Sequence, residues 1–313
     1  MGPVMSVPLA RVSLVISTVN RAPELTRLLN SLVDQEFKDF EIVFVDQNRD
    51  DRIVPVLEHY EGRLKIGRVT TPARHGVSAG RNDGWRRSHG EIVVFPDDDC
   101  WYPSWFLRKG VELLDATGAE IVSGRVADET GRSINGRFSS RAQFVGRRSV
   151  WVTQSEAASF YRRALLERLQ GFDEGIGIGS PSPWQAAEGT DFVLKALHEG
   201  SRCYYDPSLY GFHREYDLDD PNNGMPAKGR AYARGMGYVL RRHRFGPFCL
   251  IHWASRPFFT AFISAINGRF HRAFYSLLVS LGRVEGWLGR VWVTGKRGGA
   301  CSKIKSPDEV RPG

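Results

Sequence analysis

The first two-thirds of the chain alternates short apolar runs with stretches of helical periodicity. The apolar runs are typical of strands that are buried on both faces of a sheet. Between them, residues 23–33 place Leu25, Leu28, Leu29 and Leu32 on one helical face. This alternation predicts βαβ units and therefore an α/β fold with a mostly parallel central sheet and flanking helices. The predicted strands are 11–17, 40–45, 64–69, 91–95, 120–123, 157–161, 202–205 and 209–213, and the predicted helices are 23–33, 53–60, 76–88, 105–114, 163–169 and 187–198.

The pattern changes in the last third of the chain. Residues 229–240 have helical spacing, and three apolar stretches follow at 248–253, 257–266 and 273–281. The final residues are polar, lack periodicity and are predicted to be disordered. The sequence therefore predicts an α/β domain at 8–225, a basic amphipathic helical extension at 226–294 and a disordered tail at 295–313.

Positive charge is concentrated in the same last third. From Lys228 onward the chain holds 16 Lys and Arg against 3 Asp and Glu, whereas the preceding residues hold 27 against 32. Basic residues such as Arg256, Arg269 and Arg272 separate the apolar stretches, which is typical of helices lying on an anionic membrane surface. A helical subdomain packed on the α/β domain, or an interface with another chain, would show the same pattern.

Cysteine spacing and the distribution of apolar residues argue against several classes of protein. Its four cysteines lie far apart, which argues against a zinc site or a disulfide framework and suits a reducing compartment. The first residues are too short and too polar for a signal peptide. No uncharged apolar run reaches about 18 residues, so no spanning helix is predicted.

Three consecutive acids, Asp97, Asp98 and Asp99, follow the apolar run 92–95. They lie at the carboxyl end of a predicted strand, which is the edge where open α/β sheets bind ligands. Adjacent carboxylates repel each other unless a cation joins them, and Mg²⁺ or Mn²⁺ prefers carboxylate oxygens and often bridges to phosphates. The triplet predicts a metal site; the alternative is a solvated acidic turn that caps the next helix.

Polar residues also follow two other strands at the predicted edge. Thr18 and Asn20 come after the first strand and Asp46 after the second, and Arg81 lies in the glycine-rich segment 76–84. A carboxylate can accept hydrogen bonds from a ribose or base, and Arg can bind a diphosphate in a bidentate manner. Together these residues predict a nucleotide pocket. The alternatives are a structural ion pair for Arg81 and a helix cap for Asp46.

In their joint order these segments resemble a family 2 glycosyltransferase with the GT-A fold. The resemblance covers about residues 10–215 and implies transfer of a sugar from a nucleoside diphosphate donor, UDP-sugars first, with inversion and with Mg²⁺ or Mn²⁺. The matching stretches are 12–21 (VSLVISTVNR), 41–46 (EIVFVD), 76–84 (GVSAGRNDG), 95–99 (FPDDD), 171–174 (GFDE) and 188–192 (EGTDF).

The resemblance also assigns roles on the donor side. It places Arg81 near the donor and implies that Thr18, Asn20 and Asp46 hold the nucleoside. Asp97 and Asp99 match the Asp-x-Asp motif of the family. Asp99 would be the more direct metal ligand, and Asp97 would lie near the ribose and the metal. Asp98 occupies the variable middle position of the motif.

A late histidine in some GT-A enzymes binds the metal or the diphosphate, which makes His213 a third metal candidate. It follows the short apolar run 209–212. The alternative is a histidine at a strand end whose hydrogen bonds are satisfied within the protein.

Glu188 and Asp191 are the candidates for the base that deprotonates the acceptor hydroxyl. They are three residues apart on a predicted helix and should share a face. The family often shows Glu-Asp here with the Asp as base, but this chain has Gly189 at that position. Glu188 is therefore placed first and Asp191 second. The alternative for Asp191 is an ion pair with Lys195 one turn later.

The leading interpretation is an inverting, metal-dependent glycosyltransferase bound peripherally to the cytoplasmic face of a membrane, with a lipid-linked or glycan acceptor. A nucleotidyltransferase is disfavoured because no glycine-rich phosphate loop follows the first strand. A nucleic-acid-binding protein is disfavoured because the basic residues are interleaved with apolar runs. A non-catalytic sugar-nucleotide binder of the same fold stays open because of the altered motif at Gly189.

Overall fold

A computed structural model of the chain describes residues 10–292, which form one mixed sheet with helices on both faces and three long helices at the end. Three pieces of short structure are added to the predicted elements, namely strand β6 and two 3-10 helices at Val150–Val152 and Glu156–Ala158. The strands are β1 (Val12–Thr18), β2 (Phe40–Asp46), β3 (Ile66–Thr70), β4 (Ile92–Val94), β5 (Ile121–Ala127), β6 (Gln143–Phe144), β7 (Ser159–Arg162) and β8 (Cys203–Phe212). The helices are α1 (Pro23–Val33), α2 (Val54–Glu58), α3 (Val77–Trp85), α4 (Phe106–Thr117), α5 (Arg163–Leu169), α6 (Glu188–His198), α7 (Met225–Arg242), α8 (Pro247–Ile266) and α9 (Phe270–Leu288).

The sheet has the strand order β3-β2-β1-β4-β7-β5-β8-β6. Strands β3, β2, β1 and β4 are parallel, as predicted, while β7 runs antiparallel to both β4 and β5, and β6 runs antiparallel to β8. Thr18 at the end of β1 is in register with Asp46 at the end of β2. The parallel half therefore brings the polar residues that follow its strands to one edge.

Strand β8 corrects the prediction of two separate strands at 202–205 and 209–213. The structure has one strand whose register against β5 shifts between Ser123 and Arg125. Pro207 lies within the shifted part, where its missing N–H removes a ladder hydrogen bond. A Cβ on Gly124 would lie 2.2 Å from the Leu209 carbonyl oxygen, so the shift requires glycine there.

Helix α8 joins the two apolar stretches 248–253 and 257–266 into one helix that contains Pro257. Proline lacks an N–H and leaves the carbonyl oxygen four residues earlier, on Trp253, without its helical donor. Arg283 of α9 donates a hydrogen bond to that oxygen. Within residues 10–292, no helix is long and apolar enough to cross a membrane.

Helices α7 and α9 pack closely around a buried carboxylate. Glu285 is fully buried and accepts hydrogen bonds from Arg230 Nη2 at 2.6 Å and from Arg234 Nε at 2.7 Å. Glycines allow the approach, since a Cβ on Gly286 would lie 2.0 Å from the Arg234 carbonyl oxygen. The tail predicted at 295–313 lies outside the described residues.

Replacing Glu285 by Gln should lower the free energy of unfolding by about 3–5 kcal/mol, because two largely buried guanidinium groups lose the charge that pairs them. Urea denaturation followed by circular dichroism measures the change. Glu167→Gln is the matched control, since Glu167 is an exposed glutamate on α5. Equal stability of both variants would show that the buried ion pairs do not hold α7 to α9.

Candidate functional site

The loops that follow β1, β2 and β4 are joined to one another by hydrogen bonds. Thr18 Oγ1 donates to Asp98 Oδ2 at 2.8 Å, which ties the end of β1 to the acidic triplet. The backbone N–H of Asn20 donates to Asn48 Oδ1 at 2.6 Å. Asn20 has a positive φ of 60°, a conformation that Asn tolerates better than most residues. The predicted nucleoside residues Thr18 and Asn20 therefore lie at the same edge as the acids.

Asp46, the third predicted nucleoside residue, is fully buried at this edge and is bonded through both carboxylate oxygens. Oδ1 accepts from Asn48 Nδ2 at 2.7 Å, and Oδ2 accepts from Arg68 Nε at 2.9 Å and Nη2 at 2.7 Å. Arg68 lies on β3, so the pair also links neighbouring strands. A nucleoside that bonds to Asp46 would have to share or replace these partners.

Arg81 is the central cation of the site. Its side chain is only 4% exposed, and it bridges two carboxylates that are far apart in the sequence. Nη2 donates to Asp97 Oδ1 at 3.0 Å and Nη1 donates to Glu188 Oε1 at 2.8 Å. Helix α3 lies close enough to β1 to bury Arg81, because Gly80 and Gly84 have no side chains that would separate the helix from the strand. Arg81 thus forms structural ion pairs, which was the alternative to a diphosphate contact, and both of its partners are residues predicted for the site.

The three aspartates have different surroundings. Asp98 is the least exposed, at 14% of its side chain, against 42% for Asp97 and 28% for Asp99. Burial raises the pKa of Asp98 to about 6, although Arg21 and Thr18 act in the opposite direction. Burial also acts to raise the pKa of Asp99, but His213 and Arg21 hold it well below its usual range. Asp99 is therefore ionised and exposed enough to bind a cation.

His213 reaches Asp99 because the end of β8 is bonded to Trp101, two residues after the triplet. Phe212 N–H donates to the Trp101 carbonyl oxygen at 2.7 Å, and Trp101 N–H donates back at 3.2 Å. His213 Nε2 then lies 3.4 Å from Asp99 Oδ1, and Nδ1 lies 2.6 Å from the Arg214 carbonyl oxygen. The predicted metal residues Asp99 and His213 are brought together across the sheet.

Asp99 and His213 fit a divalent cation. Burial alone would lower the pKa of His213, but Asp99 and the Arg214 carbonyl raise it, since both stabilise the protonated ring. A cation between Nε2 and Asp99 would replace the direct contact of these two groups, while the contact of Nδ1 with the Arg214 carbonyl oxygen fixes the ring. The buried Cys100 thiol lies in the same cluster, but its pKa is raised well above the usual value by burial, which makes it a poor ligand. Asp97, the third predicted metal residue, is paired with Arg81 instead.

Glu188 and Asp191 contact different partners, although both lie in the first turn of α6. Glu188 is 6% exposed and pairs with Arg81. Asp191 is fully buried; Lys195 Nζ lies 2.7 Å and His243 Nε2 2.8 Å from its carboxylate. Among the residues predicted for the site, Arg81 and Asp97 are joined with Glu188, and Asp191 has none of them as a partner.

Three residues near the predicted set received no role from the sequence. Arg21 pairs with Asp98 at 3.1 Å and with Asp99, and Arg68 pairs with Asp46. Arg21 stands in the loop after β1, so its position at the edge could have indicated a role. Glu156 lies beside Glu188 and Arg81 in the folded chain. It has no local motif that could have identified it.

The sequence matches the profile of the family described as "Glycosyl transferase family 2" over residues 13–176. It is 26% identical over 196 residues to the poly(ribitol-phosphate) beta-N-acetylglucosaminyltransferase TarS of Staphylococcus aureus, covering 61% of this chain and 33% of TarS. It is 23% identical over 175 residues to the GalNAc(5)-diNAcBac-PP-undecaprenol beta-1,3-glucosyltransferase of Campylobacter jejuni, covering 53% of this chain and 56% of that protein. The chain spans less than two-thirds of the length of either relative.

Two solved structures have a similar fold. Residues 1–349 of S. aureus TarS in complex with UDP-GlcNAc superpose with a TM-score of 0.55, at 19% identity, over 90% of this chain and 93% of that one. The mannosyltransferase PcManGT of Pyrobaculum calidifontis, in complex with GDP-Man and Mn²⁺, gives a TM-score of 0.59, at 19% identity, over 91% of this chain and 77% of that one. The α/β fold with a mixed sheet is therefore GT-A-like.

Replacing Arg81 by Met should lower the free energy of unfolding by about 3–5 kcal/mol, because Glu188 is left as an unpaired buried charge. Adding Glu188→Gln to this variant should restore part of the loss, since the unpaired charge is removed. Chemical denaturation of the single and double variants measures both effects.

Arg49→Met is the control for the Arg81 variants, because Arg49 is exposed in the loop after β2. A loss for Arg81→Met no larger than that of the control would mean that the buried ion pairs do not organise the site. A double variant less stable than Arg81→Met would contradict the assignment of the loss to Glu188.

Proposed function

Because the chain belongs to glycosyl transferase family 2, we propose that it is an inverting, metal-dependent enzyme that transfers a sugar from a nucleoside diphosphate donor to a hydroxyl acceptor. The observation that carries this proposal is the pair Asp99 and His213 at the carboxyl edge of the parallel strands. They lie where α/β sheets bind nucleotides and have the ligand atoms that a divalent cation requires.

The donor is proposed to bind across the ends of β1 and β2, with its nucleoside at Thr18, Asn20 and Asp46. A UDP-sugar is the first choice, since the TarS structure holds UDP-GlcNAc, and a GDP-sugar is the second, since PcManGT holds GDP-Man. Arg81 and Asp97 would border the diphosphate and the ribose. Arg81 stays rigid in this arrangement because it is bonded to both Asp97 and Glu188.

Asp99 and His213, with Asp97 nearby, would hold Mg²⁺ or Mn²⁺. When bound, such a cation neutralises the negative charge that develops on the departing diphosphate. The leaving group then needs no proton donor, so the protein has to supply only one carboxylate, as the base for the acceptor hydroxyl. Asp191 is poorly suited to that task, because Lys195, His243 and Arg242 hold the pKa of its carboxylate low against the effect of burial.

The acceptor is proposed to be lipid-linked or a growing glycan, in the synthesis of a surface polysaccharide or glycolipid. The names of two relatives support this, one as a poly(ribitol-phosphate) transferase and the other as an enzyme acting on an undecaprenol-linked glycan. Both kinds of acceptor present a hydroxyl group to the donor, which is the chemistry proposed here.

The exposed apolar face of α8 and α9 is proposed to bind the cytoplasmic membrane surface peripherally. This face carries many large apolar side chains, which a monomer in water rarely displays together. Exposed basic residues, among them Arg256 and Arg269, accompany it and would be attracted to anionic lipid. The residues of this face are Phe258, Phe259, Phe262, Ile263, Ile266, Phe270, Phe274 and Leu277.

In the presence of Mn²⁺, UDP or UDP-GlcNAc should raise the melting temperature of the protein by several degrees, since a ligand at 100 times its Kd adds about 2.7 kcal/mol to stability. The Asp99→Asn variant should lose the part of this rise that depends on Mn²⁺. Differential scanning fluorimetry of each variant, with and without ligand, measures the increments.

Asp34→Asn, which changes an exposed aspartate after α1, should keep the full increment. If no nucleoside diphosphate or nucleotide sugar, guanosine forms included, stabilises the wild-type chain, the proposed donor class is wrong. Donor binding without release of nucleoside diphosphate would point to a non-catalytic binder of the same fold.

The full chain should float with vesicles of phosphatidylcholine and phosphatidylglycerol, and the double variant Phe259→Glu/Phe262→Glu should not, because charged side chains oppose burial among acyl chains. Phe144→Glu, on the half-exposed Phe144 at the sheet edge, is the control and should float. Equal flotation of the double variant would refute the membrane proposal. The proposal would also be refuted if the wild type sediments as a dimer and does not bind vesicles, while the double variant sediments as a monomer. In that case the apolar face would be an interface between two copies of the chain.

A further inference from the structure

Glu156 is a carboxyl group beside the site that neither the sequence motifs nor the proposed mechanism uses. It begins the short helix Glu156–Ala158 that leads into β7, and the residue as a whole is half-buried. Its carboxyl packs against the start of α6, since a Cβ built on Gly189 would lie 2.2 Å from Glu156 Oε1. Only a residue without a side chain at position 189 allows the carboxyl of Glu156 to lie there, next to Glu188.

The carboxylates around Glu156 outnumber the cations beside it. Arg81 is the nearby cation, and its guanidinium already bonds to Glu188 at 2.8 Å and to Asp97 at 3.0 Å. Within residues 10–292, Glu156 makes no ion pair with Lys, Arg or His at 4.0 Å or less. The hydrogen bonds of the Arg81 guanidinium thus go to Glu188 and Asp97, and Glu156 lies beside this group without an ion pair to it.

We propose that Glu156 is the catalytic base of this enzyme, and that Gly189 positions it beside Glu188. The inference rests on the proposed glycosyl transfer. In that step the Glu156 carboxylate takes the proton of the acceptor hydroxyl, and the acceptor oxygen forms a bond to the anomeric carbon of the donor sugar. The bond from that carbon to the diphosphate oxygen breaks, and its electron pair leaves with the nucleoside diphosphate.

The proton affinity of Glu156 suits this role. Burial, followed by the charge of Glu188, raises the pKa of Glu156 to about 7, while Arg81 acts to lower it. Asp97 also raises it, and the Tyr161 phenol of β7 is a further titratable neighbour. A base whose pKa lies near the working pH combines a sufficient ionised fraction with the strongest proton affinity available.

Glu156→Gln should reduce kcat by about 10²–10⁴, the usual contribution of a general base, and leave the Kd of the donor unchanged. The assay measures release of UDP or GDP from UDP-GlcNAc and GDP-mannose with Mn²⁺, with water or an added glycan as acceptor. Glu167→Gln, on an exposed glutamate of α5, is the matched control and should keep wild-type kcat. A kcat for Glu156→Gln within a factor of about three of the control would overturn the proposal.

The pH dependence separates Glu156 from Glu188. In the wild type, kcat should rise with pH through about 7, as the Glu156 carboxyl loses its proton. Glu188→Gln removes the neighbouring negative charge, so the same rise should persist but move to lower pH. Loss of the rise in Glu188→Gln, together with its retention in Glu156→Gln, would assign the base to Glu188 and refute our inference.

Gly189→Ala tests the position of the carboxyl. The added Cβ should push the end of the Glu156 side chain away from its place. Because Ala favours a helix more than Gly does, stability should not fall, and the expected result is a lower kcat with unchanged donor Kd. A Gly189→Ala enzyme with full kcat would contradict the positioning role.

A measurement without substrate keeps this inference separate from the proposed function. A carboxyl whose pKa is higher in the folded than in the unfolded chain destabilises the fold as pH rises from about 4.5 to about 7. The melting temperature of Glu156→Gln should therefore match that of the wild type near pH 4 and exceed it near pH 8. A constant difference would refute the raised proton affinity, whereas a wild type that shows this dependence but releases no nucleoside diphosphate would refute the proposed function instead.

Discussion

The arrangement of the site depends on the burial of one guanidinium group. Arg81 is almost inaccessible to water, and a buried charge is tolerated only when opposite charges and hydrogen bonds surround it. It therefore requires Asp97 from the loop after β4 and Glu188 from the start of α6 at the same place. This requirement connects α3, the acidic triplet and α6, three segments separated by up to 107 residues. Helix packing supplies the burial, and the ion pairs determine which residues face one another.

The sequence predicted the local structure well where periodicity decides it. Helices α1 and α5 begin and end at the predicted residues, and the polar strand ends meet at one edge as expected. It failed where a distant residue decides the outcome. Helix α8 continues through Pro257 because Arg283, from another helix, satisfies the carbonyl of Trp253. No pattern within residues 248–266 contains that information.

The same division applies to the site. Residue type and position after a strand were enough to propose the acids, Arg81 and His213 as site residues. They were not enough to predict which residues each of these would contact. The pair of Asp99 with His213 depends on the backbone bridge between Trp101 and Phe212, and the pairing of acids with Arg21 depends on the path of the loop after β1. Several acids predicted to meet a donor or a metal already have a protein cation beside them. A donor or a metal that binds to these acids must therefore replace some of their contacts with protein cations. The free energy of binding is then the difference between the new contacts and the contacts that are lost.

Three carboxyl groups at or near α6 differ in the charged groups that surround them. Asp191 is surrounded by cations and stays ionised as part of the contact between α6 and α7. Glu188 shares Arg81 with Asp97 and is held in place. Glu156 lies against Gly189, and burial, followed by the charge of Glu188, raises its pKa while Arg81 acts to lower it. Asp191 and Glu156 thus differ in proton affinity because their neighbouring charges differ. The sequence does not show which charges will surround a carboxyl group, which explains why the base proposed here lies outside the motifs that the sequence offered.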